Sequence, residues 1–415
     1  MTTYSDLSKS LTKTLSTKEK KEQGIFFTPP SCVETIMNLL GPHLNDVQAV
    51  LEPSCGSGEF ITAIRKKLPQ ATITGVEYNT TIYNAINATD SSFNVDDNIN
   101  IYNEDFLSYV PYMSYQLIIG NPPFNVLKKK DVATEYHEYF SGRPNIFILF
   151  IVKCIKLLSD NGILCFVLPK NFLNCQYYNE TRAFISRTCD IISIQSCDGD
   201  YIDTKQDTIV MVLRKGKRNT KESNMLHDKH VVSISGLSCF TSGCADQIKE
   251  LYKNSSSLNE LGFKVSVGKV VWNQNKEILC HDTTATRLIY SSDFKNGRFA
   301  PKTYKNEEKK NFIRMDGKTK PVIMMNRGYG TGAYTFDYCI LDIDTPYLLE
   351  NHVICIEYLD EGTGKSRKEM IDLYTKVVAS FNDERTKKFI GIYIGNNAIS
   401  TTELATVLPI YKDHL

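Results

Sequence analysis

The chain has 415 residues, 42% of them hydrophobic, and a formal net charge of +1. That length and apolar content suit two or three domains with real cores, while a charge near zero excludes a globally basic surface, so any nucleic-acid-binding patch must be local. The twelve cysteines are scattered, with no Cys-x-x-Cys pair and no signal peptide, which argues for reduced, buried thiols over a disulfide framework or structural zinc. No apolar run reaches membrane-spanning length, so no membrane partner is expected.

Residues 1–23 are polar and rich in Ser, Thr and Lys, and read as a helix or a loose arm. Residues 49–61 then run from an apolar strand into a tight glycine turn and a helical stretch. Gly56 and Gly58 let a ligand approach the backbone closely. The third glycine of the dinucleotide fingerprint is missing, which argues against a nicotinamide cofactor. A second short strand, 73–77, ends in Glu77, an acid suited to the two hydroxyls of a ribose. A third, 99–102, leads to Glu104-Asp105-Phe106, where Asp105 can accept from an amino group and Phe106 can cover a ring. Each acid alone also suits a solvated loop; three strand ends in series, each matched to one part of a nucleoside, are harder to obtain by chance.

The fourth strand, 117–119, stops at Asn121-Pro122-Pro123-Phe124. Two prolines cannot continue a strand and force a rigid, extended exit. Those four residues also suit an ordinary strand-ending turn. They equally suit the preparation of an amide-like or exocyclic nitrogen for alkylation. Its lone pair is delocalised, and acceptors placed on its two hydrogens localise it. The side-chain oxygen of Asn121 is one acceptor and the carbonyl of Pro122 the other, with Phe124 as a stacking face. If the methyl donor is a sulfonium, alignment and electrostatics suffice.

Further along, a helix is expected over 145–158, a turn at 160–162, a strand over 163–168, a helix over 177–187, and strands over 191–195 and 209–213. This alternation predicts an α/β fold with a mainly parallel sheet and helices on both faces. The expected domains are a catalytic domain over 24–215, a basic linker over 216–229 and a C-terminal module over 230–415.

The motifs together resemble the DNA adenine-N6 methyltransferases of the class ordered cofactor, catalysis, target recognition. Gly-Ile-Phe-Phe-Thr-Pro-Pro at 24–30 resembles the family's N-terminal cofactor motif, and Glu52-Pro53-Ser54-Cys55-Gly56-Ser57-Gly58 its cofactor turn. Asn121-Pro122-Pro123-Phe124 matches the catalytic tetrad. The resemblance covers roughly residues 24–215. It implies a Rossmann-like sheet that binds S-adenosyl-L-methionine, followed by a mixed α/β target-recognition domain. It places Thr28 against the donor's carboxylate end, and assigns Glu52, Ser54, Gly56, Gly58, Glu77, Asp105, Phe106 and Phe150 to the donor. It implies double-stranded DNA as partner, a target adenine rotated out of the duplex, and an aromatic residue closing the second face of that base; Tyr201 is the nearest aromatic in a suitable place.

Two C-terminal segments mix amide or basic side chains with loop formers and are suspected base readers. One spans 268–276 and contains Lys269; the other spans 325–332 and contains Arg327. Residues 295–320 carry nine bases against three acids. Over 366–381, Met370, Leu373, Val377 and Phe381 form a helical stripe suited to a core. The expected activity is a sequence-specific, intracellular DNA adenine methyltransferase with no metal. Any restriction endonuclease of matching specificity is expected to be a separate protein. An RNA adenine methyltransferase, a protein glutamine N-methyltransferase and a DNA-binding module with a relic pocket are the alternatives.

Overall fold

The structure is a computed structural model that describes residues 3–88, 93, 96–197, 201–202, 207–216, 220–326, 337–359, 364–393 and 399–415. The chain forms two compact units, one of residues 1–233 and 237–246, the other of residues 234–236 and 247–415.

The first unit is built on seven strands: β1 (Ala49–Glu52), β2 (Thr72–Glu77), β3 (Ile99–Asn103), β4 (Tyr115–Gly120), β5 (Leu158–Pro169), β6 (Cys189–Ser196) and β7 (Thr208–Lys215). Their spatial order is β3-β2-β1-β4-β5-β7-β6. The first five are parallel; β7 runs antiparallel to both β5 and β6. Strand order reverses between β1 and β4, the point at which open α/β sheets leave a crevice at their carboxyl edge.

The apolar runs are continuous because both faces of the sheet are covered. Successive side chains point to opposite faces, and the buried residues sort accordingly. Leu51, Ile118, Leu164, Phe166 and Met211 join one core with helices α6 (Ile146–Leu157) and α7 (Asn179–Thr188). Val50, Leu117, Ile119, Cys165 and Val210 join the other, with α1 (Asp6–Thr14), α3 (Pro30–Leu40), α4 (Glu59–Lys67) and α5 (Thr80–Ile86).

One expectation is narrowed and two change. Of the two readings of residues 1–23, the helical one holds: they contain two capped helices, α1 and α2 (Thr17–Gln23). Leu11 of α1 is buried, and Ser8 bonds to Ser57 and Glu59, so these helices belong to the sheet domain. The linker expected at 216–229 is largely helix α8 (Lys221–His230), capped by Thr220 and packed on β6, where Ser223 donates to Asp190 at 2.5 Å. A basic composition did not keep it solvated, because one face has a strand to lie on. Finally, Cys32 and Cys197 are paired sulfur to sulfur, while the other ten cysteines form no disulfide. They are 165 residues apart in sequence, and only the folded sheet brings their Cα atoms to 5.8 Å.

The second unit contains an antiparallel sheet of strands Phe263–Val267, Val353–Tyr358, Val322–Asn326 and Tyr338–Leu341. A second four-stranded sheet, of Leu279–Cys280, Phe312–Ile313, Thr286–Ile289 and Tyr347–Leu349, contains one parallel pairing. Helix Arg367–Asn382 starts at a Ser366/Glu369 capping box. Met370, Val377 and Phe381 are buried as the stripe predicts, but Tyr374 takes the place expected of Leu373. Its hydroxyl donates to the carbonyl of Pro321 at 3.1 Å, which satisfies the one polar atom in that position.

Candidate active site

The carboxyl ends of β3, β2, β1 and β4 open into a single cavity of about 350 Å³. It is lined by Asp105, Phe106, Glu77, Ser54, Gly56, Asn121, Pro123 and Phe150, among others, so groups expected at four strand ends and on one helix come together. The roof is the carboxyl end of α2 and residues 24–27 after it.

Asn121 is the best-defined group. Its Nδ2 donates to the carbonyl of Phe26 and to the hydroxyl oxygen of Thr28, each at 3.2 Å. Both amide hydrogens are thereby used, and Oδ1 is left buried with no hydrogen-bond partner. The Ser54 hydroxyl donates to the Asn121 backbone carbonyl at 3.1 Å, tying the β1 turn to the tetrad. Pro122 is buried and Pro123 lines the cavity. The Phe124 ring meets Phe147 edge-on at 6.0 Å, and its carbonyl accepts from Asn145 at 2.8 Å.

Glu77 accepts from the backbone N–H of Gly56 through one oxygen and of Asn79 through the other, both at 2.8 Å. Burial pushes its carboxyl above the usual range, against the pull of those N–H groups. The turn that delivers the Gly56 N–H needs positive φ at Gly56 (52°) and at Gly58 (77°), which caps α4. Asp105 accepts from the Leu107 N–H at 2.9 Å and is exposed. Phe106 and Phe150 pack at 4.8 Å between ring centres.

Several expected residues sit elsewhere. Thr28 and Glu52 are buried behind the cavity rather than lining it. Desolvation raises the Glu52 carboxyl well above its ordinary value, and its Oε2 has no partner. Tyr201 places its hydroxyl 3.4 Å from Thr208 at the start of β7 and is absent from the cavity lining. Lys269 is exposed just beyond Phe263–Val267 in the second unit, and Arg327 lies outside the described residues. Part of the basic stretch over 295–320 is internal: Lys309 lies 4.1 Å from the ring centres of both Tyr290 and Tyr304, and Lys318 pairs with Glu357.

Sequence reasoning missed three supports. Lys153, in an otherwise apolar turn of α6, donates to the carbonyls of Phe106, Leu107 and Tyr109 at 2.6–2.9 Å, and burial lowers its pKa. A lysine interrupting that apolar run was the available signal. Asn79 binds Glu19 and Gln23 of α2 at 2.8 and 2.9 Å and so fastens the roof to the end of β2. Asn125, one residue past the tetrad, lines the cavity and donates to the Glu22 carbonyl at 2.8 Å.

The Eco57I restriction-modification methylase family matches residues 33–202. Type II methyltransferase M.CvrRI of Paramecium bursaria Chlorella virus XZ-6E is 27% identical over 416 residues, spanning 99% of this chain and 100% of its own. Modification methylase CviBIII of Paramecium bursaria Chlorella virus NC1A is 26% identical, spanning 98% and 99%. Among solved structures, a DrdV–DNA complex superposes with a TM-score of 0.56 at 13% identity, over 98% of this chain and 57% of that one, which is a likeness of fold. Residues 33–202 are thus similar to the Eco57I restriction-modification methylases, and the chain along nearly its whole length is similar to a type II methyltransferase and a modification methylase.

Proposed function

We propose that the chain transfers a methyl group from S-adenosyl-L-methionine to N6 of an adenine rotated out of duplex DNA. The observation that carries this reading is the Asn121 amide: both hydrogens are tied down, and Oδ1 is buried and unpartnered in a family tetrad position. A buried acceptor without a partner is costly, and one that lines a binding cavity is suited to receive a ligand N–H donor.

The cavity fits the donor. Its volume is within the range of small-molecule sites, about 300–1,000 Å³. Glu77 offers carboxylate lone pairs to ribose hydroxyls, Asp105 accepts from an adenine amino group, and Phe106 and Phe150 cover the ring. When bound, the donor supplies an electrophilic methyl on sulfur. The protein's part is to hold the nucleophile: Asn121 Oδ1 takes one hydrogen of the target amino group, the Pro122 carbonyl takes the other, and Phe124 stacks on the base. The proton leaves the amino group after transfer, so no general base of high pKa is required. Tyr201 is the proposed second face for the base, and the second unit, through Lys269 and Arg327, the proposed DNA reader.

Purified protein incubated with labelled donor and DNA, RNA or protein in parallel tests this reading. Label in DNA, recovered as N6-methyladenine in nucleoside mass spectrometry, is expected. Label in protein alone overturns it, and N4-methylcytosine overturns the choice of base. Asn121→Ala is expected to lower transfer by about a thousandfold or more, with donor binding by calorimetry largely intact.

A further inference from the structure

We propose that Asn125, outside the tetrad, holds the ammonium group of the methyl donor's amino-acid end through Oδ1. The assignment rests on the donor reading above and deepens it.

Asn125 is oriented in the same manner as Asn121. Its Nδ2 donates to the Glu22 carbonyl on α2 at 2.8 Å, which turns Oδ1 away from that bond. That oxygen is buried and has no partner, and the residue lines the same cavity. The cavity thus contains two asparagines with unpartnered acceptors, while a methyl-transfer reaction needs donors from two ligands to be received. Asn121 suits the target amino group.

The order of the strands decides what reaches Asn125. The sequence β3-β2-β1-β4 lays out Asp105, Glu77, Gly56 and then Asn121 to Asn125 along one edge. The nucleoside groups are on the β3 and β2 side, so the amino-acid end falls toward β1 and β4. Thr28, expected there, is buried outside the cavity lining with its hydroxyl oxygen engaged by Asn121. The Oε2 of Glu52 at the end of β1 also lacks a partner but lies outside the cavity lining, so beside Asn121 it is Asn125 that brings an orphaned acceptor to the cavity on that side. An ammonium gains more from an amide oxygen than a neutral donor does, because the hydrogen bond is charge-assisted. Gly24 is the residue that leaves the oxygen room: a Cβ there would sit 2.3 Å from it.

The test is calorimetry of wild type, Asn125→Leu and Asn125→Asp with two ligands. S-adenosylhomocysteine carries the ammonium; 5′-methylthioadenosine lacks the whole amino-acid end. Asn125→Leu is expected to weaken the first by about tenfold or more and to leave the second unchanged. Asn125→Asp loses the tether to Glu22 but keeps an acceptor, and is expected to bind S-adenosylhomocysteine at least as well as wild type. Equal loss of both ligands in both variants overturns the assignment and makes Asn125 a structural tether. Unchanged S-adenosylhomocysteine binding in Asn125→Leu, with reduced transfer, overturns it in favour of the target amino group. A wild-type protein that binds neither ligand overturns the donor reading itself, a result distinct from the other two.

Discussion

The hydroxyl oxygen of Thr28 receives a hydrogen bond from the Asn121 side chain at 3.2 Å across 93 residues of sequence. With the Phe26 carbonyl it takes both amide hydrogens, and an amide so held presents its oxygen in one direction only. In the proposed reaction Thr28 would act through Asn121, as a positioning residue.

Thr28→Val keeps the shape and removes the acceptor. It is expected to lower the single-turnover rate by about tenfold while changing donor affinity little, measured by rapid quench and calorimetry. A loss confined to donor affinity would return Thr28 to the carboxylate-binding place that the sequence suggests.

Lys153 presents a different dependence. Its ammonium is spent on three carbonyls of the turn that bears Phe106 and follows Asp105, and it lies 4.9 Å from the Phe106 ring centre. Lys153→Met leaves those carbonyls unsatisfied. Stability is expected to fall by about 2 kcal/mol in urea titration, and donor affinity to fall further than the rate at saturating donor.

Gly24 combines a left-handed φ of 67° with close approach to the chain after the tetrad, where a Cβ would also meet the Phe124 nitrogen at 2.9 Å. Gly24→Ala is expected to cost upwards of about 1 kcal/mol from backbone conformation alone, and to displace the roof. Faster proteolysis within residues 16–29 than in wild type is the second readout.

The pH dependence follows from Glu77, whose carboxyl is raised by burial. The folded protein holds this proton at pH values where the unfolded chain, with an ordinary value of about 4.3, has released it. Stability from this group is therefore present below the ordinary value and lost as pH rises to the raised one. Donor binding has the opposite sign, since ribose hydroxyls need the ionised form as acceptor. Affinity for S-adenosylhomocysteine is expected to fall on acidification, beginning above the ordinary carboxylate range. Glu77→Gln is expected to flatten both profiles, in thermal melts and in calorimetry across acidic pH.

The sheet was legible in the sequence because its strands are apolar runs covered on both faces, and such runs stop abruptly at turn chemistry. Strand ends could therefore be located, and with them Glu77, Asp105 and Asn121, whose side chains meet in one cavity. Residues 1–23 were legible only as a helix or a loose arm: a short polar amphipathic helix is not decided until Leu11 finds its core and Ser8 finds Ser57 and Glu59. Helix α8 was hidden for the same reason: Ser223 bonds to Asp190 on β6 and His230 to the Thr241 carbonyl, partners that its own composition does not reveal. The bond between Thr28 and Asn121 was not legible because its two partners lie 93 residues apart, at separate places along the chain.

The residue types at the rim, an amide, an acid and aromatic rings at the ends of successive apolar runs, were determined by the sequence itself, because local chemistry and periodicity are written in order along the chain. The direction in which each side chain points was decided by tertiary structure alone. Phe26, Thr28 and Glu22 lie about a hundred residues from the asparagines they hold. A hydrogen bond across such a distance forms only after the sheet has brought its ends together, and that bond selects which amide oxygens face the cavity.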